Sequence, residues 1–167
     1  MQEPKKKALI MVDLQNDFCL GGRLAVANGE DVVPIANELQ PLFDLVIATK
    51  DWHPANHKSF ASQHGKKVGE VVDLGGIEQV LWPDHCVQET SGAEFHSELE
   101  TSHIHHIFYK GIDERIDSYS AFFDNAHLRS TGLGVFMRYA NNFFPCISRT
   151  LPTKRNYFQT LTKYYRI

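Results

Sequence analysis

Three short runs of apolar residues, separated by longer polar stretches, dominate the hydropathy pattern of this 167-residue chain. They are "ALIMVDLQ", "DLVIATKDWH" and "IHHIFYKG", and each ends near a charged residue. Continuous runs rich in Val, Ile and Leu are typical of strands buried on both faces of a parallel sheet. The pattern predicts parallel strands near Ala8 to Val12, Leu45 to Thr49 and His106 to Tyr109.

A helical pattern follows the first strand, in "GEDVVPIANELQPLF", where Asp31 stands in position to cap a helix. This gives a strand–helix–strand unit. A second, short helix is predicted around Ala93 to Leu99. The segment from Pro54 to Thr90 lacks periodicity and is predicted to be a long functional loop. These elements predict an α/β fold of three layers, α/β/α, with a mostly parallel sheet. The apolar positions of the first helix are Val32, Ile35, Ala36, Leu39 and Phe43.

The chain changes character after Gly134. Residues 1–134 hold all 20 acidic residues, whereas residues 135–167 contain no Asp, Glu or Gly, six basic residues and eight aromatic ones. We therefore divide the chain into a domain over 1–134 and an atypical basic, aromatic tail over 135–167. The composition of the tail is typical of translation in a shifted reading frame or of a recombined end. The alternative is a genuine extension with a binding role.

Composition otherwise indicates an ordinary single-domain globular protein. A formal charge of -3 gives no reason to expect a nucleic-acid partner or binding to an anionic membrane. No apolar run approaches the ~18 residues of a membrane span. The three cysteines, Cys19, Cys86 and Cys146, show no CxxC spacing and favour a reducing cytoplasm over a disulfide scaffold.

Residues whose side chains can bind a metal or transfer a proton follow each predicted strand. Asp13 follows the first, Asp51 and His53 follow the second, and Lys110 ends the third. Open parallel sheets bind ligands beyond the carboxyl ends of their strands, so these residues are expected to converge on one site. Each of them also has an ordinary explanation, because charged residues often terminate strands. At one sheet edge, however, Asp13 and Lys110 would tune each other's protonation and prepare proton transfer to a nucleophile.

Histidines lie close to Asp51 in sequence, in "DWHPANH" and "WPDHC". One carboxylate with His53, His57 or His85 suits a divalent transition metal such as zinc, iron or manganese. The alternative is that these are surface or capping histidines. The cluster "HIHH" is better explained as a solvated turn and the beginning of a strand than as a set of ligands.

Four motifs in order, "MVDLQNDFCLGGRLAV", "ATKDWHPANHKSF", "LWPDHCVQ" and "FYKG", resemble the signatures of the nicotinamidase, or pyrazinamidase, family of isochorismatase-like cysteine hydrolases. The resemblance runs from about Lys7 to Gly134. It implies hydrolysis of nicotinamide to nicotinate and ammonia, with a metal that orients the pyridine nitrogen. It also implies these roles: Asp13 as the base for a cysteine nucleophile, Lys110 as the cation supporting its thiolate, Asp51, His53 and His85 as metal ligands, His57 as an assisting or outer residue, and Phe18, Leu24 and Trp82 as the wall of a ring pocket.

The resemblance stops before the segment that carries the family's nucleophile. That segment, of the type "GLATDYCV", is absent, and Cys146 in "NNFFPCISRTLP" lacks the small strand-to-helix turn that the chemistry needs. Cys19 and Cys86 match family cysteines that are not nucleophiles, and we interpret them as structural. The sequence therefore predicts a nicotinamidase domain with an incomplete sheet, a missing nucleophile and a tendency to self-associate. The alternative is a non-catalytic protein that binds metal, nicotinamide or another partner.

Overall fold

The computed structural model describes residues 6–140. Its regular elements, in chain order, are β1 (Ala8–Val12), α1 (Val32–Leu39), β2 (Leu45–Asp51), β3 (Val71–Asp73), β4 (Glu78–Val80), β5 (His106–Lys110) and α2 (Leu133–Ala140). Of the earlier interpretations, the candidate nucleophile Cys146 and most of the tail lie outside the described residues. None of the helices in residues 6–140 has the length and apolar character needed to cross a bilayer.

The three predicted parallel strands form one sheet in the order β1-β2-β5. The register places Val12 opposite Thr49 and Asp51 opposite Lys110. Every residue of the central strand β2 is buried, as its continuous apolar run requires. The strand predictions are confirmed, and β2 and β5 each extend far enough to include the charged residue at the carboxyl end.

Helices cover both faces of this sheet, which confirms the three-layer architecture. On one face Val33 and Ala36 of α1 pack with Val46 and Ala48 of β2. On the other face α2 packs its buried residues against Leu45 and Ile47, again of β2. The proposed boundary after Gly134 falls within α2, whose Met137 and Ala140 belong to the second core.

Helix α1 lies where the sequence predicted it, but two details of the prediction were wrong. Asp31 makes no side-chain capping bond, because a preceding helical turn already holds its backbone in a helical conformation rather than an extended one. Ile35 is exposed, whereas Val33 is buried, so the buried face is rotated from the predicted one. Pro34 lies in the first turn, where its missing N–H costs no hydrogen bond.

The helix predicted over Ala93 to Leu99 is not formed. A single helical turn spans Ser91–Ala93, and the chain then runs antiparallel to the segment after β1. The carbonyl of Glu94 accepts the N–H of Asn16 at 2.9 Å, and the N–H of His96 donates to Leu14 at 2.9 Å. These long-range bonds use the backbone groups that a helix would need, so tertiary pairing overrides local periodicity.

Strand β5 pairs with β2 on one side only within the described residues. Its Ile107 is 41% exposed and its Tyr109 is 43% exposed. Both line an open groove of about 570 Å³, which also includes Lys50 and Phe95. Within the described residues, β5 is therefore an edge strand with partly exposed apolar side chains.

Candidate active site

Asp13, immediately after β1, is held in an unusual backbone conformation. Its φ of 57° lies in the left-handed region, which costs a residue with a side chain some conformational free energy. Its N–H donates to the carbonyl of Thr49 at 3.2 Å, and the Thr49 hydroxyl donates to Asp13 Oδ1 at 2.6 Å. These bonds fix the carboxylate above the carboxyl ends of β1 and β2.

Lys110, at the end of β5, lies between two carboxylates. Its ammonium is 2.9 Å from Asp13 Oδ2 and also bonds to Asp51 Oδ1. It donates in addition to the carbonyl of Ser118 at 3.3 Å. The ends of all three strands therefore meet at one buried, charged group.

The electrostatics of this group separate its two carboxyls. Burial opposes ionisation of Asp51, but the charges of Lys110 and His53 outweigh it and hold the pKa of Asp51 well below its usual range. For Asp13, burial outweighs the attraction of Lys110, and the negative charge of Asp51 adds to it, so the pKa of Asp13 is raised. Asp51 thus stays ionised, whereas Asp13 is the carboxylate better suited to accept a proton.

His53 is fixed by its neighbours on both sides. Its N–H donates to Cys86 at 3.0 Å and its carbonyl accepts the N–H of Gln88 at 2.9 Å, which ties the end of β2 to the loop that carries His85. On the ring, Nδ1 donates to the carbonyl of Gly111 at 3.0 Å. A Cβ at position 111 would lie 2.3 Å from the imidazole carbon Cε1, and Gly111 has a φ of +64°, so only glycine fits there.

His85 is held in the same manner from another loop. Its Nδ1 donates to the carbonyl of Pro83 at 2.8 Å, and the ring of Phe18 meets its edge with centroids 5.8 Å apart. The fully buried Phe60 packs against His85 and His53, with centroid distances of 5.6 and 5.5 Å. Phe60 therefore separates the back of the two imidazoles from the rest of the core.

The arrangement of Asp51, His53 and His85 fits a divalent metal ion. Because both rings donate through Nδ1, each presents the lone pair of Nε2, and these atoms lie 3.7 and 3.9 Å from the Asp51 oxygens. Ligands of a tetrahedral ion with ~2.1 Å bonds are separated by ~3.4 Å, so a small contraction would suffice. Moreover, Nε2 of His53 is buried without a hydrogen-bond partner among the described residues.

Burial and the charges of neighbouring groups shift the pKa values of these histidines. Burial lowers the pKa of His53, but the Asp51 carboxylate outweighs it and the net shift is upward. For His85, burial and the neighbouring His53 lower the pKa. The lowered pKa of His85 favours the neutral imidazole that a metal ion requires.

His57 lies beside this group but has a different hydrogen-bond pattern. Its Nδ1 accepts the backbone N–H of Ser59 at 3.1 Å and lies 2.8 Å from the Ser59 hydroxyl, an arrangement that favours the neutral tautomer with its proton on Nε2. Burial and the nearby His53 lower the pKa of His57 to about 4, so the ring is neutral. Although His53, His57 and Asp117 place ligand atoms within 4.8 Å of one another, this tautomer presents a donor at Nε2 rather than a lone pair.

Of the three predicted ring-pocket residues, Phe18 is the one whose ring contacts a predicted metal ligand within residues 6–140. Phe18 contacts His85 directly, and the Trp82 indole donates to the hydroxyl of Tyr119 at 3.0 Å. Leu24 is half-buried, and its N–H donates to Asp17 at 2.9 Å. His103, His105 and His106 are exposed, in a turn and at the first residue of β5, as the sequence indicated.

Residues 7–127 match the family model of the isochorismatase domain. The chain belongs to the isochorismatase family. Within it, a nicotinamidase of Escherichia coli is 50% identical over 136 residues, which cover 79% of this chain and 64% of that protein. The resemblance to nicotinamidases and pyrazinamidases is therefore confirmed, and the chain spans less than two thirds of the length of that relative.

Solved structures in the isochorismatase family agree with this assignment. The nicotinamidase/pyrazinamidase of Acinetobacter baumanii superposes with a TM-score of 0.77 at 45% identity, covering 83% of this chain and 67% of that chain. The pyrazinamidase of Pyrococcus horikoshii in complex with zinc superposes with a TM-score of 0.60 at 34% identity, covering 83% and 66%. The fold and its family are thus common to these proteins.

The two cysteines within the described residues are both buried and free. Burial raises the pKa of Cys19, and the charge of Glu30 adds to it. Burial also raises the pKa of Cys86, and three carboxylates, first Asp51 and then Asp13 and Asp17, add to the shift. Both thiols are therefore held protonated, which is the reverse of what a nucleophile needs.

Several residues around the site were not among those predicted from the sequence. Gln15 is fully buried and bonds through its amide to the carbonyls of Asp51 and Ala93, each at 2.8 Å. Phe60 and Asp117 were not singled out either. A Gln directly after an apolar strand and a Phe inside a histidine motif were the available signals, but their partners lie far away in sequence.

Proposed function

We propose that this chain forms the metal- and substrate-binding part of a nicotinamidase site. The reaction of such a site is hydrolysis of nicotinamide to nicotinate and ammonia, a step of NAD salvage, and pyrazinamide would be an alternative substrate. One observation carries the proposal. His53 and His85 each tie Nδ1 to a backbone carbonyl and direct Nε2 towards Asp51, beside the Asp13 and Lys110 pair.

Asp51, His53 and His85 would hold the metal. Zinc is our choice, because two imidazoles and a carboxylate with an open position suit it, and because a similar pyrazinamidase was solved in complex with zinc. Iron and manganese are the alternatives. When bound, the metal supplies a Lewis acid for the ring nitrogen of the substrate. Phe18 and Trp82, with Leu24, would form the apolar wall against the flat ring.

Asp13 and Lys110 would prepare the nucleophile in a complete site. A carboxylate of raised pKa accepts the proton of a thiol, and the ammonium stabilises the resulting thiolate. The thiolate attacks the amide carbon, the amide nitrogen takes up the proton that Asp13 accepted and leaves as ammonia, and water then hydrolyses the thioester to nicotinate and the free thiol. Each of these steps needs a cysteine between Asp13 and the substrate.

We infer that this chain lacks that cysteine. Cys19 and Cys86 are held as buried thiols, and Cys146 stands in a sequence without the turn that would place it at a helix N-terminus. A chain without the nucleophile is expected to release little or no ammonia. The lack of a reactive cysteine favours a second candidate function, a non-catalytic protein that binds metal and nicotinamide. Because unpaired cysteines are typical of a reducing compartment, we propose the cytoplasm as its location.

Ammonia release from nicotinamide by the purified full chain with added zinc separates these functions. The expected rate is ~10³-fold or more below that of the Escherichia coli nicotinamidase measured alongside, because loss of a nucleophile costs several orders of magnitude. Robust, zinc-dependent turnover that is abolished by Cys146→Ala would contradict the missing nucleophile. A Cys19→Ala variant, which removes a buried thiol away from the proposed metal ligands, should leave ammonia release unchanged and serves as the matched control.

Metal analysis separates a binding protein from one that has lost the site. The full chain, dialysed against zinc and then against buffer, is expected to retain one zinc ion per chain. Nicotinamide should then quench Trp82 fluorescence only in the zinc-loaded protein. Absence of both zinc and nicotinamide binding would refute the proposal.

A further inference from the structure

Asp17 is a buried carboxylate for which the proposed reaction has no use. It lies in the helical turn Asn16–Phe18, within the "NDF" motif, and is only 6% exposed. We propose that Asp17 is a positioning residue that holds the ligand His85 in place through the backbone of Cys86. The inference rests on the proposed metal site.

The hydrogen bonds of Asp17 link two distant loops. Its Oδ2 accepts the N–H of Cys86 at 2.7 Å, and its Oδ1 accepts the N–H of Arg23 at 3.1 Å. The nitrogen of Cys86 belongs to the peptide group that also contains the carbonyl of His85. The carboxylate therefore fixes the peptide plane that adjoins the ligand, 69 residues away in sequence.

Cys86 needs such a restraint because its backbone is in a conformation that few residues adopt. Its φ is 45°, in the left-handed region, and its side chain is fully buried. A non-glycine residue persists in that conformation only when its surroundings over-determine it. A short, charge-assisted hydrogen bond from a buried carboxylate supplies that restraint.

The packing around Asp17 leaves the carboxylate little freedom to move. A Cβ at Gly92 would lie 2.1 Å from Asp17 Oδ2, so the backbone of Gly92 packs directly against the carboxylate. On the other side, the adjoining Phe18 meets the edge of the His85 ring. The turn thus holds His85 at two points, through the backbone by Asp17 and through the ring by Phe18.

The test compares zinc affinities of Asp17→Ala and Asp17→Asn in the full chain, measured by competition with a chelator. Asp17→Ala is expected to lower the zinc affinity by ~10–100-fold, the usual effect of removing a group that orients a metal ligand. Asp17→Asn keeps one acceptor oxygen and is expected to fall between Asp17→Ala and the unmodified chain. Melting temperatures with and without zinc show whether each variant folds.

Asp124 provides the matched control. It is also buried, at 4% exposure, and accepts two backbone N–H groups, from Leu128 at 2.9 Å and Arg129 at 2.6 Å. Asp124→Ala should lower the melting temperature without changing the zinc affinity. The absorption spectrum of bound Co²⁺ adds a readout of ligand geometry, and it should change in the Asp17 variants but not in Asp124→Ala.

The outcomes distinguish this inference from the proposed function. If the unmodified chain binds zinc and both folded Asp17 variants bind it equally well with the same Co²⁺ spectrum, the positioning role is wrong and the metal site stands. If the unmodified chain binds no zinc, the metal site fails and this inference fails with it. An equal loss of zinc affinity in Asp17→Ala and Asp124→Ala would also overturn it, because it would reduce Asp17 to a general stabiliser.

Discussion

The Asp51 carboxylate has two sets of neighbours, His53 with His85 (the histidine side) and Lys110 with Asp13 (the Lys110 side), and the polar atoms of the two sets are matched differently. Lys110 has two carboxylates and a carbonyl within bonding distance. On the histidine side, each Nδ1 is matched by a carbonyl, but Nε2 of His53 is buried without a hydrogen-bond partner among the described residues.

This difference shows where an added group would belong. A buried polar atom without a partner carries a free-energy cost, which a bound cation would remove. The Lys110 side needs no added group, because the three N–H donors of its ammonium already have acceptors on Asp13, Asp51 and Ser118. The two sides are therefore held differently. On the histidine side, backbone carbonyls orient the imidazole lone pairs, whereas on the Lys110 side ion pairs join the ends of the strands.

The largest effect is expected from removing a histidine ligand. His53→Ala should lower the zinc affinity by more than ~100-fold, because it deletes a donor atom and not only a group that orients one. The control is His103→Ala, which removes an exposed imidazole from a turn. Equal zinc affinities of the two variants, measured by chelator competition, would mean that the histidine side holds no metal.

Gly111→Ala tests the residue that joins the two sides. The added methyl would collide with the His53 ring, and the backbone φ of +64° would be strained, so we expect a loss of ~3 kcal/mol in the free energy of unfolding. Gly65→Ala is the matched control, because its φ of +61° is similar but nothing lies within 4 Å. Urea denaturation should show a loss of only ~1 kcal/mol there; equal losses would exclude the collision with His53.

The exposed strand on the Lys110 side is expected to drive self-association. Ile107→Lys with Tyr109→Lys should reduce the oligomeric fraction several-fold in sedimentation experiments, because charges on an edge strand oppose pairing with another chain. Leu128→Lys, at a residue that is 74% exposed elsewhere, should leave that fraction unchanged. A monomeric unmodified chain at high concentration would contradict this prediction.

The smallest effect on the metal is expected at His57. Because its contacts with Ser59 favour the neutral tautomer with the proton on Nε2, His57→Ala should change the zinc affinity by less than ~10-fold. A loss as large as that of His53→Ala would show instead that the ring changes tautomer and becomes a ligand. The same chelator competition measures both variants.

The sequence allowed the sheet and the convergence of charged residues to be predicted because both depend on local patterns. The apolar runs are continuous, and each charged residue follows its strand directly. The role of His57 could not be decided, because its tautomer depends on the backbone of Ser59, and nothing in the local sequence revealed the bond between Asp17 and Cys86. The helix predicted over Ala93 to Leu99 failed because bonds to the segment after β1 take its backbone groups.

Asp13 combines two features that work against folding. Its backbone is left-handed, and its pKa is raised by burial and by Asp51. A carboxyl whose pKa is raised in the folded state makes folding less favourable as the pH rises through the range between its unfolded and folded pKa values. Two carboxylates also share the single ammonium of Lys110.

The raised pKa of Asp13 thus favours uptake of a proton and lowers the stability of the folded chain above the acidic range. An amide tolerates the left-handed conformation and carries no charge, so Asp13→Asn should raise the free energy of unfolding of the metal-free chain by ~1 kcal/mol. Urea denaturation in the presence of a chelator would measure that gain. A destabilised Asn variant would show that the ion pair with Lys110 outweighs both costs.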